Sequence, residues 1–436
     1  MEARALTTDH SSSDHASKTD GDEGARLGTR GMARAVDPDA HLDRLSSLLR
    51  AAKSSAASHS VELYSRASLR TRVCVDRLDE PPIVHVGVED GIAARVARAR
   101  EREYGFAACA GTDRRALLWV MEQALRSSSR SSSTGWAEGR GQVLLDREPA
   151  PALPTPTELS SWLEKALRAA AHAGVHVGSA WVEAALTTES IAADGGLLAS
   201  RVRTRVWALG VADGRPRLLG GRTVASLDTM DWAHAKRQPP SESRNRFPSA
   251  TQPVVFLPEA AASLVTALVR VLRAGVDEFR PEIGPGWRVA DDPFDPRALL
   301  GGPFDDAGFP AARKILWDGR QAVEEIEGPG HFRRASYRDP PAPMATTLVL
   351  EAGAGETVDR CVLVEELRVH SLDLRTWVLE MSGRDRSDGA PFQEAMLQVR
   401  PLDLLRHCAA AMGEPRWFHR GVVTPAILFE RLRDGN

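Results

Sequence analysis

The chain has 436 residues, 42% hydrophobic and 26% charged, with Lys+Arg 56 against Asp+Glu 59 and a formal net charge of −3. At roughly 150 residues per domain this length fits two or three folded units with sizeable cores, and the balance of charge excludes a generic binder of nucleic acid or anionic membrane. Four scattered cysteines (Cys74, Cys109, Cys361 and Cys408) form no CxxC pair, which excludes zinc ribbons and dithiol redox motifs and reads as the reduced thiols of a cytoplasmic protein.

Residues 1–36 are rich in Ser, Asp, Thr and Gly, lack the apolar core of a secretory signal and are expected as a disordered tail, with His10 and His15 solvated rather than ligating. Residues 37–236 read as an N-terminal α/β domain in two sub-segments, 37–147 and 151–236. In the first, Leu42, Leu45, Leu48 and Leu49 share one face of a helix that opens at Asp39 and runs to about Lys53. Alternation over Val61–Asp76 predicts two strands of a hairpin, and Val84–Phe106 reads as extended. Thr112 is the expected N-cap of a helix over 113–127, and RSSSRSSSTG (126–135) reads as a low-complexity loop. In the second sub-segment, Thr155-Pro156-Thr157-Glu158 spells a capping box with Pro at the first helical position. Leu159, Trp162, Leu163, Ala166, Leu167 and Ala170 continue the apolar face, and Gly174 stops it. Strands are expected over Val177–Thr188, Glu189–Ala193 and Leu197–Val211, the last two joined by an Asp194-Gly195-Gly196 turn.

Residues 237–252 are a linker rich in Pro, Ser and charge, and residues 253–436 read as a C-terminal β-rich domain. This domain opens with a strand, Pro253–Leu257, and a helix from Pro258 to about Arg273 whose core face carries Leu264, Leu268, Val271 and Leu272. Gly, Pro and Asp turns between short apolar runs over 276–400 predict strands; a helix at 402–412 and a short segment, Pro425–Leu432, close the chain. The fold class expected is α+β, an α/β N-terminal domain followed by a β-rich one.

No nucleophile elbow, phosphate loop or HExxH motif occurs. His172 and His176 have a spacing that can ligate metal from one helical face, but Gly174 between them ends the helix. Cys361 sits in an apolar strand pattern, and Cys408 follows His407 on the expected final helix, where adjacent side chains diverge; neither reads as an activated thiolate. Arg95, Arg98, Arg100 and Arg102, interleaved with Ala and Glu, read as a solvated strand face. Asp291-Asp292-Pro293, Asp295 and Asp305-Asp306-Ala307-Gly308 offer paired carboxylates for a hard metal or a shared proton, but they are also ordinary turn material, which is the expectation.

Taken in order, the ordered pieces resemble one family. Gly91-Ile92-Ala93-Ala94-Arg95-Val96, then Tyr104-Gly105-Phe106-Ala107 and Thr112-Asp113, resemble the N-terminal signature of the TldD/PmbA family. Asp194-Gly195-Gly196 resembles its middle segment. Asp291-Asp292-Pro293, Phe304 to Pro310 and Ile315-Leu316-Trp317-Asp318-Gly319 resemble its "D-D-P … D-D-E-G-x-P … L-I-x-x-G" block, and Arg333-Arg334 through Pro340, Pro343 and Gly353 the stretch after it. Thr424-Pro425-Ala426-Ile427-Leu428 matches the closing segment, so the order is kept over about residues 55–435.

This resemblance implies a two-domain subunit that pairs to enclose a chamber. In the heteromeric form the TldD-like subunit carries an H-E-x-x-x-H helix and a late Cys for zinc, while PmbA, also called TldE, lacks them; together they trim unfolded peptides, including leader peptides of natural products. Here the corresponding helix reads Pro258-Glu259-Ala260-Ala261-Ala262-Ser263, with Pro258 and Ser263 in place of the histidines and only Glu259 retained. The late G-x-C-G motif is missing too. Zinc needs about three protein ligands and an open position, so no metal is expected in this chain and zinc is expected in the partner. The resemblance thus implies a non-catalytic PmbA/TldE-like subunit, with a TldD-like catalytic subunit and unfolded peptide as partners and neither nucleic acid nor membrane. Arg333, Arg334, Asp305 and Asp306 are the candidate substrate-binding residues; for the two arginines, ordinary surface pairing is an equal account. The alternatives are an autonomous hydrolase using Glu259 with Asp291, Asp292, Asp305 and Asp306, and a peptide-binding or assembly module without a protease partner.

Overall fold

The computed structural model describes residues 37–57, 59–75, 81–98, 104–127, 142–146, 150–212, 215–228, 232, 246–248, 252–273, 287–319, 323, 330–334, 336–352, 355, 358–370, 376–418 and 421–432. The expected tail, the 128–135 loop and most of the expected linker lie outside them.

Alternating strands of unusual length build the first sheet. Its strands are β1 (His59–Val75), β2 (Ile83–Arg98), β3 (Tyr104–Ala110), β4 (Val143–Leu145), β5 (Val177–Ala193), β6 (Leu198–Ala212) and β7 (Arg215–Gly221). They run in the order β3-β2-β1-β5-β6-β4, with β7 also on β6, and are antiparallel except for β4 beside β6. The hairpin expected within Val61–Asp76 is instead the single strand β1, whose hairpin partner is β2. The polar residues Ser65, Arg66 and Ser68 interrupt the apolar alternation, but Arg66 and Ser68 stay in register with Glu189 and Thr187 of β5.

Three helices cover one face of this sheet: α1 (Pro38–Ser55), α2 (Arg114–Arg126) and α3 (Pro156–His172). Asp37 caps α1 and the Thr155/Glu158 capping box opens α3 as its sequence spells. The cap of α2 is Asp113, accepting from the Ala116 amide at 2.8 Å; Thr112, the expected cap, donates to Asp90 instead. Leu45, Leu117, Val120, Leu159 and Leu163 pack from these helices onto Val61, Leu63, Ile92, Val182 and Val206. A Cβ at Gly105 would strike the Ala124 carbonyl at the end of α2, so this glycine lets the helix sit directly on β3.

The second sheet has the order β10-β9-β13-β18-β8-β14-β15-β16, with β17 on β18. Its strands are β8 (Val254–Phe256), β9 (Arg288–Asp291), β10 (Lys314–Trp317), β13 (Leu348–Glu351), β14 (Val362–Val369), β15 (Trp377–Asp385), β16 (Pro391–Val399), β17 (Cys408–Phe418) and β18 (Val422–Phe429). The short pair β11 (Phe332–Arg333) and β12 (Ala342–Pro343) stands apart. Helix α4 (Pro258–Arg273) packs Leu264 and Leu268 into the core of this sheet beside Phe256, Val364 and Phe429. The helix expected at 402–412 ends early: α5 covers only Pro401–Arg406, and Cys408 begins β17 rather than lying in a helix. Ala409, Ala410 and Ala411 favour helix, but pairing with β18 wins, and Gly413 at φ +73° breaks the helical path. The chain is thus mixed α+β with a β-rich C-terminal half, and none of the described helices is long and apolar enough to cross a membrane.

Candidate functional site

The N-terminal end of α4 opens onto a groove of about 960 Å3. Pro258, Glu259 and Ser263 line it from α4, Arg217 from β7, Glu365 from β14 and Arg416 from β17. Glu259, 46% exposed at its side chain, is ion-paired with Arg217, whose other terminal nitrogen lies 3.6 Å from Glu366. Ser263 Oγ donates back to the Glu259 carbonyl at 3.4 Å. None of the described residues lining the groove is a histidine or cysteine. Proline has no donor atom, a serine hydroxyl is a poor zinc ligand, Glu259 is already held by Arg217 and Glu365 by Arg384, and among the described residues no three His, Cys, Asp or Glu side chains gather here. This donor set does not fit a zinc ion.

The other candidate residues lie elsewhere, in a buried clamp that joins the two halves. Asp305 accepts from the amides of Ala307, Phe309, Gly330 and Phe332 at 2.8–3.1 Å. Burial nevertheless holds its carboxyl above the usual range. Asp306 bonds to Arg201 of β6 and accepts from the Arg334 amide at 2.7 Å. Burial alone would raise Asp306, but Arg201, then Arg333 and Arg203, hold it below the usual range. Arg334 lies over the Tyr64 ring at 4.5 Å and reaches Glu62 at 3.2 Å; Arg333 bonds to Thr346 Oγ1 and the Phe332 carbonyl. Both arginines are buried, so the surface pairing expected for them does not occur; their partners are buried groups of the same chain. The resemblance motifs gain a physical reason here: a Cβ on Gly91 would strike the ring of buried Tyr337 from the C-terminal half.

Arg95 corrects one expectation. It is 1% exposed and bonded to Glu62, so it belongs to this clamp and not to a solvated face. Arg100 and Arg102 fall outside the described residues. His172 ends α3 with Nδ1 on the Arg168 carbonyl, and Gly174 stops the helix at φ +72°. Burial raises the thiols of Cys109, Cys361 and Cys408.

Sequence reasoning missed His331. Its Nδ1 lies 2.5 Å from Asp291, whose other oxygen accepts from the Thr346 and Thr347 amides. A lone His whose partner lies 40 positions away gives no local signal of this pairing. The dyad is fully enclosed and not open to substrate. Among the described residues no three His, Cys, Asp or Glu side chains gather as a metal site, and the aspartates of the clamp do not line the groove that holds Glu259.

No family model matches the sequence, and no curated protein matches it at the significance required. Solved structures do. TldE from Thermococcus kodakarensis is 16% identical, covers 89% of this chain with 99% of its own, and superposes with a TM-score of 0.68. A protein from Thermotoga maritima, described as a proposed modulator of a DNA gyrase, is 17% identical over 89% of this chain and 98% of its own, with a TM-score of 0.67. A similarly described Bacteroides thetaiotaomicron protein is 15% identical over 88% and 97%, at 0.62. The chain has a TldD/PmbA-like fold.

Proposed function

We propose that this chain is the non-catalytic, PmbA/TldE-like subunit of a cytoplasmic heteromeric peptidase, and that zinc and the water it activates belong to a TldD-like partner carrying H-E-x-x-x-H. The observation that carries this reading is the α4 groove, where Pro258 and Ser263 stand at the positions of the expected imidazoles and Glu259 is bonded to Arg217. A groove of this size in which the Ser263 hydroxyl turns back onto the Glu259 carbonyl, and in which no metal-binding set gathers among the described residues, suits a wall of a chamber better than a reaction centre.

The contribution of the chain is then geometric. Among the described residues β7 pairs only with β6 and β17 only with β18. Arg217 and Leu219 of β7 and Gly413 and Arg416 of β17 line the groove, where extended peptide backbone would add as a strand. Folded proteins keep their backbone bonds internal and would be refused; unfolded peptides, leader peptides among them, would be admitted. The test is to purify this chain, a TldD-like subunit and the two mixed, and to assay an unstructured peptide. Co-elution with cleavage in the mixture alone is the expected result. Cleavage by this chain alone, abolished by Glu259→Ala, would establish the autonomous hydrolase instead.

A further inference from the structure

The polar face of the first sheet holds more positive charge than the clamp between the halves uses. Glu189 of β5 stands opposite Arg66 of β1 on one side and Arg201 of β6 on the other. Arg203 and Arg205 follow on the same face of β6, opposite Thr187 and Ala185, and Thr187 in turn faces Ser68 of β1. Directly opposed residues share a face of the sheet. Ser68, Thr187 and Ala185, all with short side chains, therefore lie on the same face as these guanidinium groups, with the two hydroxyls bonded at 3.0 Å. Arg203 and Arg205 are 5% and 7% exposed, and Arg66 is half-buried.

The acids of this face are already committed. Glu189 accepts from Arg201 Nε at 2.8 Å and from the Tyr64 hydroxyl at 3.2 Å, and Asp306 is bonded to Arg201 as well. Glu183 is paired with Arg72 at 2.7 Å and Glu89 with Arg70 at 2.5 Å. Arg203 approaches Glu189 only to 3.9 Å. Among the described residues nothing hydrogen-bonds Arg203 Nη2, Arg205 Nε or Arg66 Nε. Arg66, Arg201, Arg203 and Arg205 act on Glu189 and Asp306 together, and Glu89 acts on Arg66 as well, so four guanidinium groups face three carboxylates; against burial, the carboxylates hold Arg66 above its ordinary value, and the deficit falls on Arg203 and Arg205. Buried charge without a counter-charge is strongly disfavoured. Burial first, then Arg201 and Arg205 beside it, holds Arg203 well below the ordinary guanidinium value, and Arg205 is lowered too.

We propose that Arg66, Arg203 and Arg205 form a binding site for an oxyanion, a phosphate or carboxylate group, on the polar face of the N-terminal sheet. Guanidinium forks match such groups bidentately. The C-terminal half leaves room for one of them: a Cβ at Gly302, which has φ +152°, would lie 2.6 Å from Arg203 Nη2, so the absence of a side chain there makes space for this guanidinium. The site uses different residues from the α4 groove and does not depend on the peptidase reading. Its oxyanion is either a free small anion or the acidic side chain of an extended peptide.

Calorimetric titration and thermal unfolding of the full chain test this, with inorganic phosphate against chloride at equal ionic strength. An unstructured Glu-containing peptide and its Gln counterpart separate the two sources. The chain is expected to bind phosphate, or the Glu peptide in preference to the Gln peptide, with a rise in Tm. Arg205→Met should weaken that binding at least tenfold and, without anion, leave Tm unchanged or higher because it removes surplus charge. Should Arg205→Met fail to fold, Arg66→Gln at the half-buried position should show the same weakening. A wild-type chain that binds neither phosphate nor the Glu peptide at millimolar concentration, or variants that bind as it does, would overturn the proposal.

Discussion

The clamp between the halves and the groove on α4 use the same side chains to opposite ends. In the clamp, Arg201, Arg334, Glu62 and Asp306 are nearly free of solvent and each has several partners. In the groove, Arg217 and Glu259 form a pair open to water on the carboxylate side. The difference teaches where charge is structural. A desolvated charge whose partner is removed stays buried and costly, whereas an exposed pair is screened and contributes little.

The comparison breaks most sharply at Asp306. Asp306→Ala leaves Arg201 and the Arg334 amide without their acid and should cost about 3–5 kcal/mol in denaturant unfolding. Gly105→Ala drives a Cβ into the Ala124 carbonyl and should cost up to about 3 kcal/mol by the same measurement. His41 gives a pH signature. Burial, then Arg44, lowers its pKa to about 4 from 6.5, with Ser65 bonded to Nε2 at 2.6 Å. The unfolded chain therefore takes up this proton near pH 6.5 and the folded chain only near 4. Stability from this group is complete above pH 6.5 and declines as pH falls toward 4, by up to about 3 kcal/mol. His41→Gln should flatten that part of a Tm-against-pH profile.

How much of this was legible follows from where each signal sits. The capping box at Thr155, the α4 helix and the Asp194-Gly195-Gly196 turn are written in contiguous residues, and the structure has them. The single strand β1 was not, because Arg66 and Ser68 look like turn or surface residues until Glu189 and Thr187 arrive from over a hundred positions away. Arg95 was misread for the same reason: its partner Glu62 lies on another strand. The start of β17 was hidden by local helix propensity that pairing with β18 overrides. The groove was legible only as an absence, through the identities of residues 258, 259 and 263.

Two smaller effects sharpen the contrast. Asp113→Ala removes the cap of α2 and should cost about 1 kcal/mol. Arg217→Ala in the groove should cost less than about 1 kcal/mol, a fraction of the Asp306→Ala loss.

The claim on which the account turns is that this chain supplies no catalytic metal. Zinc quantification on the purified chain, after incubation with excess zinc and desalting, addresses it without a partner or a substrate. The expected result is zinc far below one ion per chain, unchanged by Glu259→Ala. One tightly held ion per chain, lost in Glu259→Ala, would contradict the account.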